Sequence, residues 1–241
     1  MPKVAGSVKE LLAALDGIAR IEGERLVITN EAGLRTRGIH DLAWTATFSE
    51  DEATAEAARW IVWEASQATG ARSASIQELY NARARNEYEG MTVPAINLRA
   101  QTFDMARIIL ETARKNDSAA VIFELARSEQ TYTFQRVSEY ATCVLAGAIA
   151  AGWQGPVFIQ GDHYQFNAKK YAADPEKVTE EIRKACRDAI AAGYRNIDID
   201  SSTLVDLSHP TLDAQQHENY MRAAESFFLA VSRMILAMSN V

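Results

Sequence analysis

The chain has 241 residues, 48% of them hydrophobic and 24% charged, enough apolar material for one domain, or a domain with an appendage, to bury a sizeable core. Its formal net charge of −7 comes without any basic block, which excludes a nucleic-acid backbone as partner because no cluster of cations is there to release counterions. The N-terminal MPKVAGSVKE has no basic segment leading into an apolar one, and no run approaches the roughly 18 uninterrupted apolar residues of a membrane span, so the expectation is a cytoplasmic protein with no membrane partner.

The segment SVKELLAALDGI places Leu11, Leu12, Leu15 and Ile18 at helical spacing, with Ser7 as N-cap and Glu10 completing a capping box. In RLVITNEAGLRTRGIHDLAWTATF, β-branched residues flanking the turn-like Asn30 to Gly33 suggest a hairpin, and EDEATAEAARWIVWEASQATG reads as a helix ending at Gly70. Residues 1–90 are thus expected to be an N-terminal appendage of helices plus a hairpin, without a catalytic constellation.

From Val93 the texture becomes alternating: VPAINL, AAVIFEL, PVFIQGDH and NIDIDSS are short β-rich runs, each followed by a helical stretch. Four consecutive βα units imply parallel strands with right-handed crossovers, hence an α/β sheet or barrel over residues 91–241. Four strands are fewer than the eight that close a barrel, so a dimer, an open sheet or a truncated, inactive product is expected. The tail NYMRAAESFFLAVSRMILAMSNV crowds Phe227, Phe228, Val231, Met234, Ile235 and Met238 onto one helix. The two cysteines, Cys143 and Cys186, fall in helix-like apolar patterns and read as reduced core thiols.

Polar residues cluster where these strands end: Asn97 and Arg99, Glu124 and Ser128, Asp162 and His163, Asp200 and Ser202. In parallel α/β folds that edge carries the active site. In GPVFIQGDH an apolar strand delivers an acid and an imidazole side by side, a pair suited to metal chemistry with a carboxylate acid/base, and equally able to cap the next turn. Asp198 and Asp200 alternate along a strand and should face opposite sides, leaving Asp200 to share the edge with Asp162. Asn97 and Ser128 suit substrate hydroxyls or hydrogen bonds that stabilise loops. His40, His209 and His217 read as non-ligands.

On these residues, from Val93 to about Tyr220, the chain resembles the class II, metal-dependent fructose-bisphosphate and tagatose-bisphosphate aldolases. VPAINLRAQTFDMARIILETA is similar to the family's first strand and helix, VIFELARSE to its second strand, PVFIQGDH to its third, and IDSSTL with HENY to its fourth. The resemblance implies the front half of a TIM (β/α) barrel, a zinc or other divalent ion, and cleavage or formation of a phosphorylated ketose through a metal-stabilised enediolate. It makes Asp162 the catalytic acid/base and His163 and Asp200 metal-binding, while Asn97, Ser128 and Ser202, at the same strand ends, are expected to bind substrate. Gln160 stands where the family commonly has a histidine, and the family's fifth-strand Glu-Gly motif and two further metal histidines do not occur. GDHYQFN and DAIAAGYRNIDIDSS also resemble the non-catalytic accessory subunit of tagatose-bisphosphate aldolase. A homo-oligomer, or assembly with a partner aldolase subunit, is therefore expected.

Overall fold

The computed structural model describes the backbone of residues 1–238 and the side chains through position 227. The first helix, α1 (Val8–Ala14), is capped by Ser7, whose Oγ accepts the Glu10 N–H at 3.3 Å; the Glu10 carboxylate turns back to the N–H of Gly6, one residue before the cap. The hairpin lies earlier than its expected turn. Its strands are β1 (Ala19–Glu22) and β2 (Arg25–Ile28), reversing at Gly23, which holds φ 62°. Asn30 is instead an N-cap, its side chain accepting the Gly33 N–H at 2.8 Å, and it starts α2 (Glu31–Gly33) and a π-turn. The stretch after it is α3 (Ile39–Phe48), because Ile39, Leu42, Ala43 and Ala46 recur at helical spacing and are buried.

The helix α4 (Glu52–Thr69) ends as expected at Gly70, with φ 82°. It feeds a strand that the sequence reading did not anticipate, β3 (Ala71–Ser73), followed by α5 (Gln77–Ala84). The alternating region then unfolds in order: β4 (Ala95–Asn97), α6 (Thr102–Lys115), β5 (Ile122–Ala126), α7 (Glu129–Tyr132), α8 (Val137–Ala150), β6 (Gly155–Asp162), α9 (Ala168–Ala173), α10 (Pro175–Ala191), β7 (Asn196–Ile197) and α11 (Leu212–Met238). The fold is mixed α/β, built on a parallel five-stranded sheet. Strands β4, β5, β6 and β7 neighbour one another in chain order, and β3 pairs with the N-terminal end of β6 while β7 pairs with its C-terminal end.

Residues from Tyr140 to Ile149 are buried all round the α8 helix, as its near-continuous apolar sequence requires. Helices α6 and α8 approach at Gly147, where an added Cβ would meet the Phe103 carbonyl oxygen at 2.7 Å. One core runs from Leu11 through Ile61, Phe123 and Val144 to Tyr194, so residues 1–90 and the alternating region contribute to it together. Cys143 and Cys186 are free and buried, and burial pushes their thiols up to about 12 and about 11. Among the described residues, no helix is long and apolar enough to cross a membrane. Of the apolar tail positions, Phe227 is exposed, while the side chains of Phe228, Val231, Met234, Ile235 and Met238 lie outside the described residues.

Candidate functional site at the carboxyl edge of the sheet

Register brings the polar positions together. Asn97 pairs with Glu124 across β4 and β5, Glu124 pairs with Gln160, and Ala126 pairs with Asp162 across β5 and β6. The two-residue period then places Asp162 on the same face as Gln160, Glu124 and Asn97. Gln160 donates to the Glu124 carboxylate at 2.8 Å, and the Asn97 amide donates to Asp162 Oδ2 at 3.2 Å. Burial, then the neighbouring Asp162 charge, pushes the Glu124 carboxyl up.

Immediately after β6 the chain turns at His163, which holds φ 45°, a left-handed conformation uncommon for a residue with a Cβ and a local cost where it occurs. Beyond it, backbone bonds knit 164–166 to 198–200: Tyr164 N–H donates to the Asp198 carbonyl at 2.9 Å and Phe166 N–H to the Asp200 carbonyl at 2.9 Å. Both acids are thereby held beside the imidazole. This corrects the expectation that only Asp200 shares the edge: β7 ends at Ile197, so the alternation of a strand does not govern residues 198 and 200. His163 Nδ1 lies 4.0 Å from Asp198 Oδ2 and 3.2 Å from Asp200 Oδ2.

Because an ionised carboxylate only accepts, His163 Nδ1–H donates to Asp200, and in the neutral imidazole the free electron pair is then at Nε2, 3.6 Å from Asp162 Oδ1. Asp200 also accepts from the Gln165 amide at 2.7 Å, the Ser202 N–H at 3.0 Å and the Ser202 hydroxyl at 2.5 Å. Burial alone would raise this carboxyl, but the Ser202 and Gln165 donors, with His163, outweigh it and hold it at about 2. The hydrogen bond to Asp200, then the charge of Asp162, raises the imidazole above its usual range. Asp198 is raised by burial and by the charge of Asp200, which outweigh the hydrogen bond from the His163 backbone.

Asp162, His163 and Asp198 form the one group of three or more potential metal ligands among the described residues, with one donor atom from each lying within 4.8 Å of the others. Asp200, expected as a ligand, lies outside this group and hydrogen-bonds the imidazole. Ser202, expected to bind substrate, gives its hydroxyl to Asp200. Ser128 lines the cleft above the centre, as does Asn97, whose amide hydrogens are both committed. His40 packs edge-on against Phe103 and His209 lies beside Asp206, apart from this group.

The cleft has a volume of about 910 Å³, and its lining combines Arg99, Arg127 and Lys170 with Glu124, Glu129, Asp162 and His163. A lining of both charges suits a polar ligand better than an apolar one, and Lys170 and Arg127 offer it cations. Glu129, which sequence reading passed over, is 7% exposed and accepts from four groups: the Ala126 N–H at 3.0 Å, Asn97 at 3.0 Å, Arg99 at 2.5 Å and the Tyr132 hydroxyl at 3.3 Å. Its one available signal was an acid in the first turn after a strand that ends at the polar edge. The chain matches no known protein family, no curated protein and no solved structure, and its chemistry rests on the geometry just described.

Proposed function

We propose that this chain is a metal-dependent lyase of the class II aldolase type, acting on a phosphorylated ketose such as fructose 1,6-bisphosphate. The observation that carries the reading is the convergence of Asp162, His163 and Asp198 at the carboxyl edge of parallel strands, in a cleft that Arg127 and Lys170 also line. We further read β4 to β7 as the first half of a TIM-type barrel. Their order in the sheet follows their order in the chain, and helices separate them, as in such barrels.

The donor set fits a divalent ion. With Asp162 left free as the base, His163 and Asp198 would hold the ion from the protein side, and an imidazole with a carboxylate accommodates manganese or a similar ion as well as zinc. When bound, such an ion polarises the ketose carbonyl and takes up the negative charge that develops as the carbon–carbon bond breaks. The chain's own residues do the rest. Asp162 takes the proton from the hydroxyl on the carbon that becomes the aldehyde, while the electron pair of the broken bond passes to the ketose fragment, which is later reprotonated. Asn97 steadies the Asp162 carboxylate, Asp200 steadies the imidazole, and Arg127 with Lys170 receives phosphate.

The test is release of triose phosphate from fructose 1,6-bisphosphate and tagatose 1,6-bisphosphate by the chain supplied with Zn²⁺, Co²⁺ or Mn²⁺. Release that falls by about a hundredfold or more in Asp162→Asn supports the reading. No release with any ion, or equal release by the variant, refutes it. A second reading, a non-catalytic subunit that assembles with an aldolase, is favoured by the single imidazole in the donor set; stable co-purification with a separate active aldolase would select it.

A further inference from the structure

We propose that Glu129 is a positioning residue: its buried carboxylate fixes the Asn97 amide and, through it, the Asp162 carboxylate at the centre. The inference rests on the reading of Asp162, His163 and Asp198 as one centre. A primary amide nitrogen has two hydrogens, and on Asn97 both are used, one toward Glu129 Oε2 at 3.0 Å and one toward Asp162 Oδ2 at 3.2 Å. Two carboxylates are thus bridged by one planar group. Planarity makes the bridge directional, because turning the amide about its last torsion to leave Glu129 also withdraws the hydrogen from Asp162, and the flipped amide would set its oxygen against both carboxylates.

Glu129 can impose this orientation because both of its carboxylate oxygens are engaged. Its Oε2 is anchored by the Ala126 N–H at the end of β5, and its Oε1 by Arg99 and Tyr132. The acceptor is therefore held by the sheet and not by a flexible loop alone. The same ion pair orients Arg99, whose side chain is 57% exposed and lines the cleft, so one buried carboxylate sets both a cation of the cleft and the amide beside Asp162.

The experiment compares wild type, Glu129→Leu, Glu129→Asp, Asn97→Ala and the Asn97→Ala/Glu129→Leu double variant. Ala126 and Asn97 donate to the same oxygen of Glu129, so a Gln that kept one bond would keep both, whereas Leu accepts from neither. The first readout is the pair of Asn97 side-chain N–H resonances, assigned by their loss in Asn97→Ala. They should be widely dispersed in wild type and move toward solvent-exposed amide positions in Glu129→Leu, with backbone resonances beyond the site unchanged. The second is Mn²⁺ affinity, expected to fall about tenfold in Glu129→Leu, about tenfold in Asn97→Ala, and no further in the double variant, with Glu129→Asp retaining part of it. Unmoved Asn97 resonances in Glu129→Leu, or losses that multiply in the double variant, overturn the proposal. If Glu129→Leu does not fold, Glu129→Asp decides by the same resonances. Absence of Mn²⁺ binding in wild type would count against the metal reading, while the Asn97 resonances still decide whether Glu129 holds that amide.

Discussion

Replacing Asp200 by Asn removes a charge whose environment is fully specified. Three side chains and one backbone N–H converge on the carboxylate, which is 11% exposed and so weakly screened by solvent. A folded-state value of about 2 against the ordinary 3.8 corresponds to about 2 kcal/mol of stability at neutral pH. The folded value is depressed, so this contribution is fully present well above pH 3.8 and is lost as the pH falls through about 2. About half of it should already be gone at pH 3. Urea unfolding of wild type and Asp200→Asn at pH 7 should therefore differ by about 2 kcal/mol, with Tm lowered by about 4–8 °C, and the difference should shrink toward half at pH 3. A difference that is absent at pH 7, or that does not change with pH, would refute the assignment of those four donors to an ionised Asp200.

The imidazole gives the opposite slope. His163 is raised in the fold by Asp200 and Asp162, so its ion pairs stabilise fully below about pH 6.5 and are lost as the pH rises through the folded value; His163→Ala should cost stability at pH 5.5 and little at pH 9, as thermal unfolding at the two values would read. Because a ligand nitrogen must be neutral, Mn²⁺ affinity should fall as the pH drops through that same range, which isothermal titration would follow. A Cβ at Gly161 would overlap the wholly buried Tyr164 ring, so Gly161→Ala should lower stability by about 1–3 kcal/mol in urea unfolding. Removing cations of the cleft with Arg127→Ala/Lys170→Ala should weaken inorganic phosphate binding by roughly tenfold or more, measured by titration, while leaving Mn²⁺ affinity largely unchanged.

The strands and helices of the alternating region were legible because their signals are local: apolar runs that end in polar residues, then amphipathic helices bounded by caps such as Asp174 before Pro175. The hairpin was misplaced because Asn30 to Gly33 has the composition of a turn, and the same Asn side chain caps a helix equally well. The strand Ala71–Ser73 was invisible because three residues carry too little pattern; its existence depends on the partner edge of β6. At the site, Asp162 and His163 were readable from one dipeptide at a strand end. Asp198 was set aside by extending the pleat beyond a strand of two residues, and Glu129 was missed because its importance lies in partners 30 or more residues away, Asn97 and Arg99, with no signature in its own neighbourhood.

The most direct test of the central claim is titration of the purified chain with Zn²⁺ and Mn²⁺ at neutral pH, beside His163→Ala and Asp198→Asn. The expected result is saturable binding of a single ion, weakened by about tenfold or more in each variant. Absence of saturable binding, or binding equally tight in both variants, would contradict the reading of Asp162, His163 and Asp198 as a metal centre.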